Sequence, residues 1–531
     1  MSQSTNSDWI PRNSSSYLPL QGPQRARSAG ASERYLIVRA NLGIYNNVGL
    51  TIEYSRTRKD ESTPIVPLKS VVYSAIARTI AKHACLSFVP TGKETNDPYY
   101  LRLPFINLDH AVSFTERRTP IDRIEDLELD EFLQDQHNKP FLHSDINLPY
   151  WRLFILTPPG NGPDFFAAFH HSLCDTRSAL LFHQTFTEAF TRAEAELQTR
   201  SAPPIGLAIT PEIALPPPIE SLTSFPLSSD FKSNFVSSAR KPTPLPNHVW
   251  TGEPARLPVQ TRFRSLCIPA STTGEMVRAC KENGTTVTAA VQAAVATVLF
   301  SLLPSTFTTL NCDGAISLPN PPISSSTMGV FVRSFSEHYQ REDLFTKEDE
   351  CREDPNCSCS VSCFWFQARR SLQNLKLIIA DPTTDNPLIA TTLLAEMGIG
   401  IDEYMLSKIG KKRHVSYEVS NIGTVVQQKY YDGEKQASVL EMGRTIFSQS
   451  AVAITTPLKI SVATSVDGRL NLGFTWQVGG VVAVAAGQYY DEEEVFVVEG
   501  LIKGLRAFIE RIVGRRVSEM RDLTRARISP C

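Results

Sequence analysis

Hydrophobic and polar positions follow two different periods along the chain, and the sharpest change of period falls within residues 164–193. Residues 165–169 form a run of aromatic and small apolar residues, long enough for a buried strand and too short for a typical helix. After His170 and His171 the period lengthens. Leu180, Leu181, Phe182, Phe186 and Phe190 then recur at helical spacing, with Glu188, Arg192 and Glu194 among the polar positions. The pattern predicts a strand-to-helix junction that holds His171 and Asp175 in hydrophobic surroundings. Just upstream, residues 148–156 (LPYWRLFIL) read as another strand, and Thr157, Pro158, Pro159 and Gly160 supply a turn. Two strands joined this way predict a hairpin or neighbouring pair, with His171 at the sheet's end.

The same periods divide the rest of the chain. Residues 35–38 and 44–54 have strand character, interrupted by the turn-prone Asn46 and Asn47, and residues 67–88 read as a helix packing one face. Residues 101–108 and 111–114 are expected to be extended. The acidic residues Glu125, Asp126, Glu128, Asp130 and Glu131 read as a largely solvated patch. Prolines crowd residues 201–246, few of them at positions a helix or central strand accepts, so this is expected to be an interdomain linker running over the surface. In the second half, strands are expected at 263–268, 310–316, 330–335 and 415–426. Helices are expected at 272–280, 286–299, 365–379, 390–396 and 493–512. Residues 458–466 and 470–476 flank Asp467-Gly468, a strong hairpin signal. The division that follows is a polar tail over 1–30, a domain over 31–200, a linker over 201–255 and a second domain over 256–531.

Composition narrows the classes. A chain of 531 residues with 42% hydrophobic residues is too long for one hydrophobic core, which favours two large domains. A net charge of −2 gives no global attraction to nucleic acid or to an anionic membrane. The longest apolar stretch, 478–487, contains internal glycines and is shorter than the roughly 20 residues a membrane helix needs. A soluble, cytoplasmic protein without integral membrane association is expected. Ten scattered cysteines do not form a compact disulfide framework. Cys351, Cys357, Cys359 and Cys363 could complete a tetrahedral zinc site or be ordinary thiols of a surface insertion.

The residues that carry chemistry are His170, His171 and Asp175, an HHxxxD pattern. A neutral imidazole can accept a proton from an alcohol or an amine while that group attacks an electrophile. A carboxylate four residues on can fix the imidazole directly or stabilise the loop by pairing elsewhere, and spacing does not choose between these uses. Cys174 offers a thiol beside the histidine as an alternative nucleophile. No GxSxG elbow, HExxH helix or complete phosphate-binding loop is present.

The HHSLCD segment over 170–175 resembles the HHxxxDG active-site motif of the chloramphenicol acetyltransferase-like, coenzyme A-dependent acyltransferases, with Thr176 in place of the final glycine. RANLGIYNNV at 39–48, LPYWRL before the motif and YEVSNIG at 417–423 resemble, in order, the fungal alcohol O-acetyltransferase branch, and together they span about three quarters of the chain. The resemblance implies two similar α/β domains with mixed sheets and an active site at their interface. It implies that His171 is the general base, that Asp175 is structural support through a salt bridge to an arginine, and that His170 shapes the loop. His170, Ser420 and Asn421 become candidates for contacting the substrate or lining its channel. The implied reaction is transfer of an acyl group, acetyl first among them, from acetyl-CoA or another acyl-CoA to a small-molecule alcohol such as a specialised metabolite. No permanently bound cofactor and no metal are required, and a monomer is expected. N-acyl transfer to an amine, carrier-dependent condensation and a noncatalytic ligand-binding descendant are the alternatives.

Overall fold

Strand Asp164–His171 lies in the middle of a five-stranded sheet, in the order Leu440–Gln449, Val48–Arg56, Asp164–His171, Trp151–Thr157, Val112–Glu116. The computed structural model describes residues 22–57, 66–95, 97–141, 148–160, 162–199, 206–241, 244–318, 326–345, 358–427, 431–432, 435–436, 440–482 and 490–514. The expected hairpin is present: Trp151–Thr157 runs antiparallel to Asp164–His171, with Trp151 opposite His171. Because seven of the eight residues from Asp164 to His171 are buried, both faces of this strand must be covered, which explains its continuous rather than alternating hydrophobicity. One face carries helices Leu68–Lys82 and Thr176–Thr199; the Phe169 ring stacks on Phe182 with centroids 3.8 Å apart. The other face presents Phe166 and Ala168 to Leu129 and Leu133 of helix Leu127–His137, and to Phe263 and Ile446.

Phe263 belongs to a second, six-stranded mixed sheet, in the order Thr261–Ile268, Leu470–Gln477, Leu458–Thr464, Tyr417–Thr424, Thr309–Ser317, Val332–Gln340. The Asp467-Gly468 hairpin forms as expected, with Gly468 at φ +84°. The alanine-rich helix Val287–Leu302 covers this sheet and is itself covered by helices Ser358–Ala380 and Tyr490–Ile512. Its small side chains admit close approach. A Cβ at Gly504 would meet Val298 Cγ1 at 2.6 Å, so a glycine that weakens the last helix locally is required by its packing.

Several expectations are corrected. Residues 35–38 are helical within Ala31–Asn41, where the Glu33 carboxylate folds back to accept from the Gly30 N–H. The first-sheet strand begins only at Val48, because Asn46 and Asn47 turn inward and donate to the carbonyls of His137 and Gln136. The acidic segment is not all solvated. Asp126 is buried in an ion pair with Arg117 and caps helix Leu127–His137, and buried Asp130 accepts from the N–H and hydroxyl of Ser265. Glu194, read as a polar-face residue, is buried against Arg56. Within the expected tail, Gln24–Ser28 is a strand paired with Tyr99–Arg102. Within the expected linker, Leu207–Ile209 pairs with Phe105–Asn107, and Ile219–Leu222 and Ser229–Arg240 are helical. Strand Leu440–Gln449 lies late in the chain yet forms an edge of the first sheet, so the two sheets are not simply the two halves of the sequence.

Arg444 on that edge strand is fully buried and donates to Asn471 Oδ1 at 3.2 Å, Ser265 Oγ at 3.1 Å and the Asp122 carbonyl at 3.0 Å, which ties the strand to the second sheet. Among the described residues no single helix is long and apolar enough to cross a membrane. Cys351 and Cys357 lie outside the described residues, and so does the zinc reading.

Gly49 sits directly opposite His170, and a Cβ there would meet the His170 ring at 2.7 Å and Ser448 Oγ at 2.8 Å. Gly49→Ala is expected to lower unfolding free energy by about 1–3 kcal/mol through overpacking. Urea denaturation of the two proteins checks this; an unchanged midpoint would show that the ring yields without cost.

Candidate active site

Alternation along strand Asp164–His171 sends the two histidines to opposite faces. His171 shares its face with Phe169, the ring centroids 5.5 Å apart, and opens into a cavity walled by Leu86, Trp151, Phe169, Met328, Phe331 and Pro216. The walls therefore come from the first sheet's helical face, from the proline-rich connection and from residues 328–331 ahead of strand Val332–Gln340. The His171 side chain is 3% exposed, and neither ring nitrogen has a hydrogen-bond partner among the described residues. Burial lowers its pKa to about 4, because the charged form would lose its hydration without a compensating partner. At neutral pH the ring is thus neutral, with one nitrogen lone pair able to take a proton.

His170 occupies a different environment. Its Nδ1 lies 3.2 Å from Asn47 Oδ1, and His137 Nδ1 lies 2.6 Å from the same oxygen. The amide nitrogen of Asn47 already donates to the Gln136 carbonyl, so its oxygen faces the imidazoles as an acceptor and assigns the Nδ1–H form to both. The His170 pKa is pushed well below its ordinary value by burial, then by His137 and Arg152. His170 does not line the cavity at His171; it holds the start of strand Val48–Arg56 and the end of helix Leu127–His137 together.

Asp175 is buried and makes no contact with the His171 ring. Its Oδ1 accepts from the Ser178 N–H and hydroxyl, both at 2.8 Å, which is the arrangement of a helix N-cap. Its Oδ2 accepts from the Phe331 N–H at 3.1 Å, and its own N–H donates to the Gly329 carbonyl at 2.9 Å. The support implied by the family pattern therefore takes the form of hydrogen bonds rather than an arginine salt bridge. Backbone donors fixed by the fold do this work in place of a long charged side chain. Burial raises the Asp175 pKa, and these hydrogen bonds and the charge of Arg177 oppose the rise. Thr176, standing where the motif carries glycine, opens helix Thr176–Thr199 with negative φ, so the glycine's conformational freedom is not needed there.

Cys174 reaches the cavity wall, but its thiol is held well above its ordinary pKa by Cys85 and by burial, which keeps it protonated and weakly nucleophilic. Ser420 and Asn421 lie on strand Tyr417–Thr424 and are not among the residues lining the cavity. The Asn421 amide donates to Thr288 Oγ1 at 2.9 Å and accepts from the Gly423 N–H at 2.8 Å, which commits it to the strand's end. Ser178, Gly329 and Phe331 were not singled out by sequence reasoning, and Asn47 was read only as a turn residue. The Asp-x-x-Ser spacing at 175–178 is a helix N-cap signal that could have found Ser178; nothing local points to the others. Among the described residues no three His, Cys, Asp or Glu side chains are grouped to hold a metal ion.

No family model matches the chain. It is 30% identical over 469 residues to the protein named "Probable alcohol acetyltransferase crmB" of Aspergillus fumigatus, covering 86% of this chain and 95% of that one. It is 21% identical to "Probable alcohol acetyltransferase FCK4" of Fusarium pseudograminearum, over 86% of this chain and 91% of that one. Among solved structures, the TRI3 trichothecene 15-O-acetyltransferase of Fusarium sporotrichioides superposes with a TM-score of 0.65 at 14% identity, covering 92% of this chain and 95% of that one. The first condensation domain of the CDA synthetase superposes with a TM-score of 0.57 at 13% identity, covering 92% and 97%. The shared fold and the 30% identity across most of both chains lead to one conclusion: the protein is an acyltransferase and belongs to the fungal alcohol acetyltransferase branch of the chloramphenicol acetyltransferase-like superfamily.

Proposed function

We propose that this acyltransferase moves an acyl group, acetyl in the first instance, from acyl-CoA to the hydroxyl of a small-molecule acceptor, with His171 as general base and no acyl-enzyme intermediate. The observation that carries the reading is a neutral, unpartnered imidazole opening into an apolar cavity. In the reaction His171 takes the hydroxyl proton as the oxygen attacks the thioester carbonyl. The C–O bond forms, the C–S bond breaks, and the imidazolium returns its proton to the departing thiolate, so an ester and free CoA result. Because the site excludes water, the same nitrogen is shielded from bulk protons and hydrolysis of the thioester is suppressed. Asp175 is a positioning residue. It sets the first turn of helix Thr176–Thr199 against residues 329–331, and through that turn it sets the wall opposite His171.

The named relatives favour an alcohol acceptor and an acetyl donor. An amine could be deprotonated by the same imidazole, and product mass separates the two. Cys174 is disfavoured as nucleophile by its raised pKa.

Purified protein incubated with acetyl-CoA and longer acyl-CoAs against pooled alcohols and amines is expected to yield esters, identified by mass. His171→Ala, folded by circular dichroism, is expected to lose about 10²- to 10⁴-fold in rate, the usual worth of a positioned base. An unchanged rate in the variant would remove His171 from the mechanism, and amide products would reassign the acceptor. For the wild type, the rate is expected to fall with acid only as the free enzyme's His171 gains its proton near pH 4, not near 6.5. A kcat/KM profile against pH checks this, and an acid limb at 6.5 or higher would mean that a solvated group controls the rate. Asp175→Asn should turn an amide toward the Phe331 N–H or disturb the Ser178 cap. It is expected to cost about 1–3 kcal/mol of stability in urea denaturation, the penalty of an unsatisfied buried donor. The position of the acid limb should be unaltered, since Asp175 does not touch the ring.

A further inference from the structure

The cavity at His171 has a second polar end, and its hydrogen bonds can be accounted for atom by atom. Segment 27–33 and the short helix Ile219–Leu222 close the cavity with Arg27, Glu33 and Glu220. Arg27 Nη1 and Nη2 donate to the two Glu33 carboxylate oxygens at 2.7 Å, Nη1 also donates to the Ser28 carbonyl at 3.0 Å, and Nε donates to the Pro216 carbonyl at 2.8 Å. Glu33 is committed, because besides Arg27 it accepts from the Gly30 N–H at 2.8 Å. Glu220 Oε1 accepts from the Ala31 N–H, at the start of helix Ala31–Asn41. Glu220 Oε2 is shut off from solvent and accepts from no group among the described residues. It is the one carboxylate oxygen of the two glutamates left without a donor, in a cavity whose remaining walls are mostly apolar.

A buried carboxylate oxygen without a donor is costly, and a ligand that brings one recovers that cost. Arg27, held on Glu33 by Nη1 and Nη2, does not donate to it. The geometry points to Glu220 as a specificity-determining residue that receives a second hydrogen-bond donor of the acceptor, a hydroxyl or a protonated amine remote from the hydroxyl that His171 deprotonates. The acceptor class is then a polyfunctional alcohol, a diol or amino alcohol with an apolar body between its two polar groups, and not a simple aliphatic alcohol. This deepens the proposed function and rests on it for the identity of the reacting end.

The test uses homologous series of 1-alkanols, α,ω-diols and α,ω-amino alcohols, from butanol to dodecanol, as probes with acetyl-CoA. At the best-fitting length, the wild type is expected to show a kcat/KM about 10- to 100-fold higher for a diol or amino alcohol than for the matching monoalcohol, the worth of a hydrogen bond to a charged group. Glu220→Gln keeps an acceptor for the Ala31 N–H and is expected to melt with the wild type while losing most of that preference. Equal wild-type kcat/KM values for monoalcohols and diols, or an undiminished preference in Glu220→Gln, would overturn the inference while leaving His171 chemistry intact. If no probe is acylated, the proposed reaction fails for this panel. Calorimetric binding of the same probes to wild type and Glu220→Gln then decides the inference by itself. Tighter binding of the doubly polar probes to wild type alone supports it; equal binding of both classes, or binding of neither, overturns it.

Discussion

The site depends on one costly arrangement, an imidazole kept dry and without a hydrogen-bond partner at the end of a central strand. Buried polar atoms are almost always bonded, and leaving one unbonded costs about 1–3 kcal/mol. The fold tolerates that cost at His171 because everything beneath the ring is tightly packed. Phe169 stacks on Phe182, Phe182 on Phe186, and the strand is covered on both faces. The same burial keeps the ring neutral. The packing and the charge state of the ring therefore have a single cause, its burial at the strand's end.

The motif's other two residues with polar side chains for chemistry, His170 and Asp175, do have partners. One residue earlier, His170 is tied through Asn47 to His137, so two neighbouring imidazoles have opposite fates set only by which face of the strand they point from. Asp175 is likewise satisfied, and its partners lie in two distant parts of the chain. A carboxylate that both caps a helix and receives the Phe331 N–H fixes the distance between the first sheet and the segment leading into strand Val332–Gln340. Arg444 does the equivalent at the other edge of the sheet, bridging to Ser265 and Asn471. These buried hydrogen bonds are directional where the apolar contacts between the sheets are not, and they set the register in which the cavity walls meet.

The proline-rich connection is more than a tether. Among its described residues, its prolines confine regular structure to strand Leu207–Ile209 and helices Ile219–Leu222 and Ser229–Arg240, and between them Pro216 and Glu220 pack against segment 27–33 and complete the cavity. Such a segment carries little secondary structure for its length, so its contribution to the site has no periodic signature. The wall it forms also holds Glu220 Oε2, a buried carboxylate oxygen without a donor among the described residues.

The strand-helix junction, the hairpin at Asp467-Gly468 and the alanine-rich packing helix were legible because each follows from a local rule, hydrophobic period, turn chemistry or side-chain size, whereas the α/β class came from the family resemblance. The HHxxxD spacing also singled out His171 and Asp175, but it did not choose between a carboxylate on the imidazole and one that stabilises the loop. Where the reading failed, tertiary contacts had overridden local preference. Residues 35–38 carry β-branched side chains but become helical under the Glu33 cap, and Asp126 and Asp130 leave solvent because Arg117 and Ser265 meet them. That Asp175 would bond to Phe331, that strand Leu440–Gln449 would join the first sheet, and that Asn421 would serve Thr288 and not the cavity depend on residues tens to hundreds of positions apart. The sequence by itself determined which residues could do chemistry, since that is a property of the side chain. Only the tertiary structure decided which of them stand unpartnered in a cavity, because hydrogen-bond satisfaction and burial are properties of neighbours that the chain brings together only when it folds.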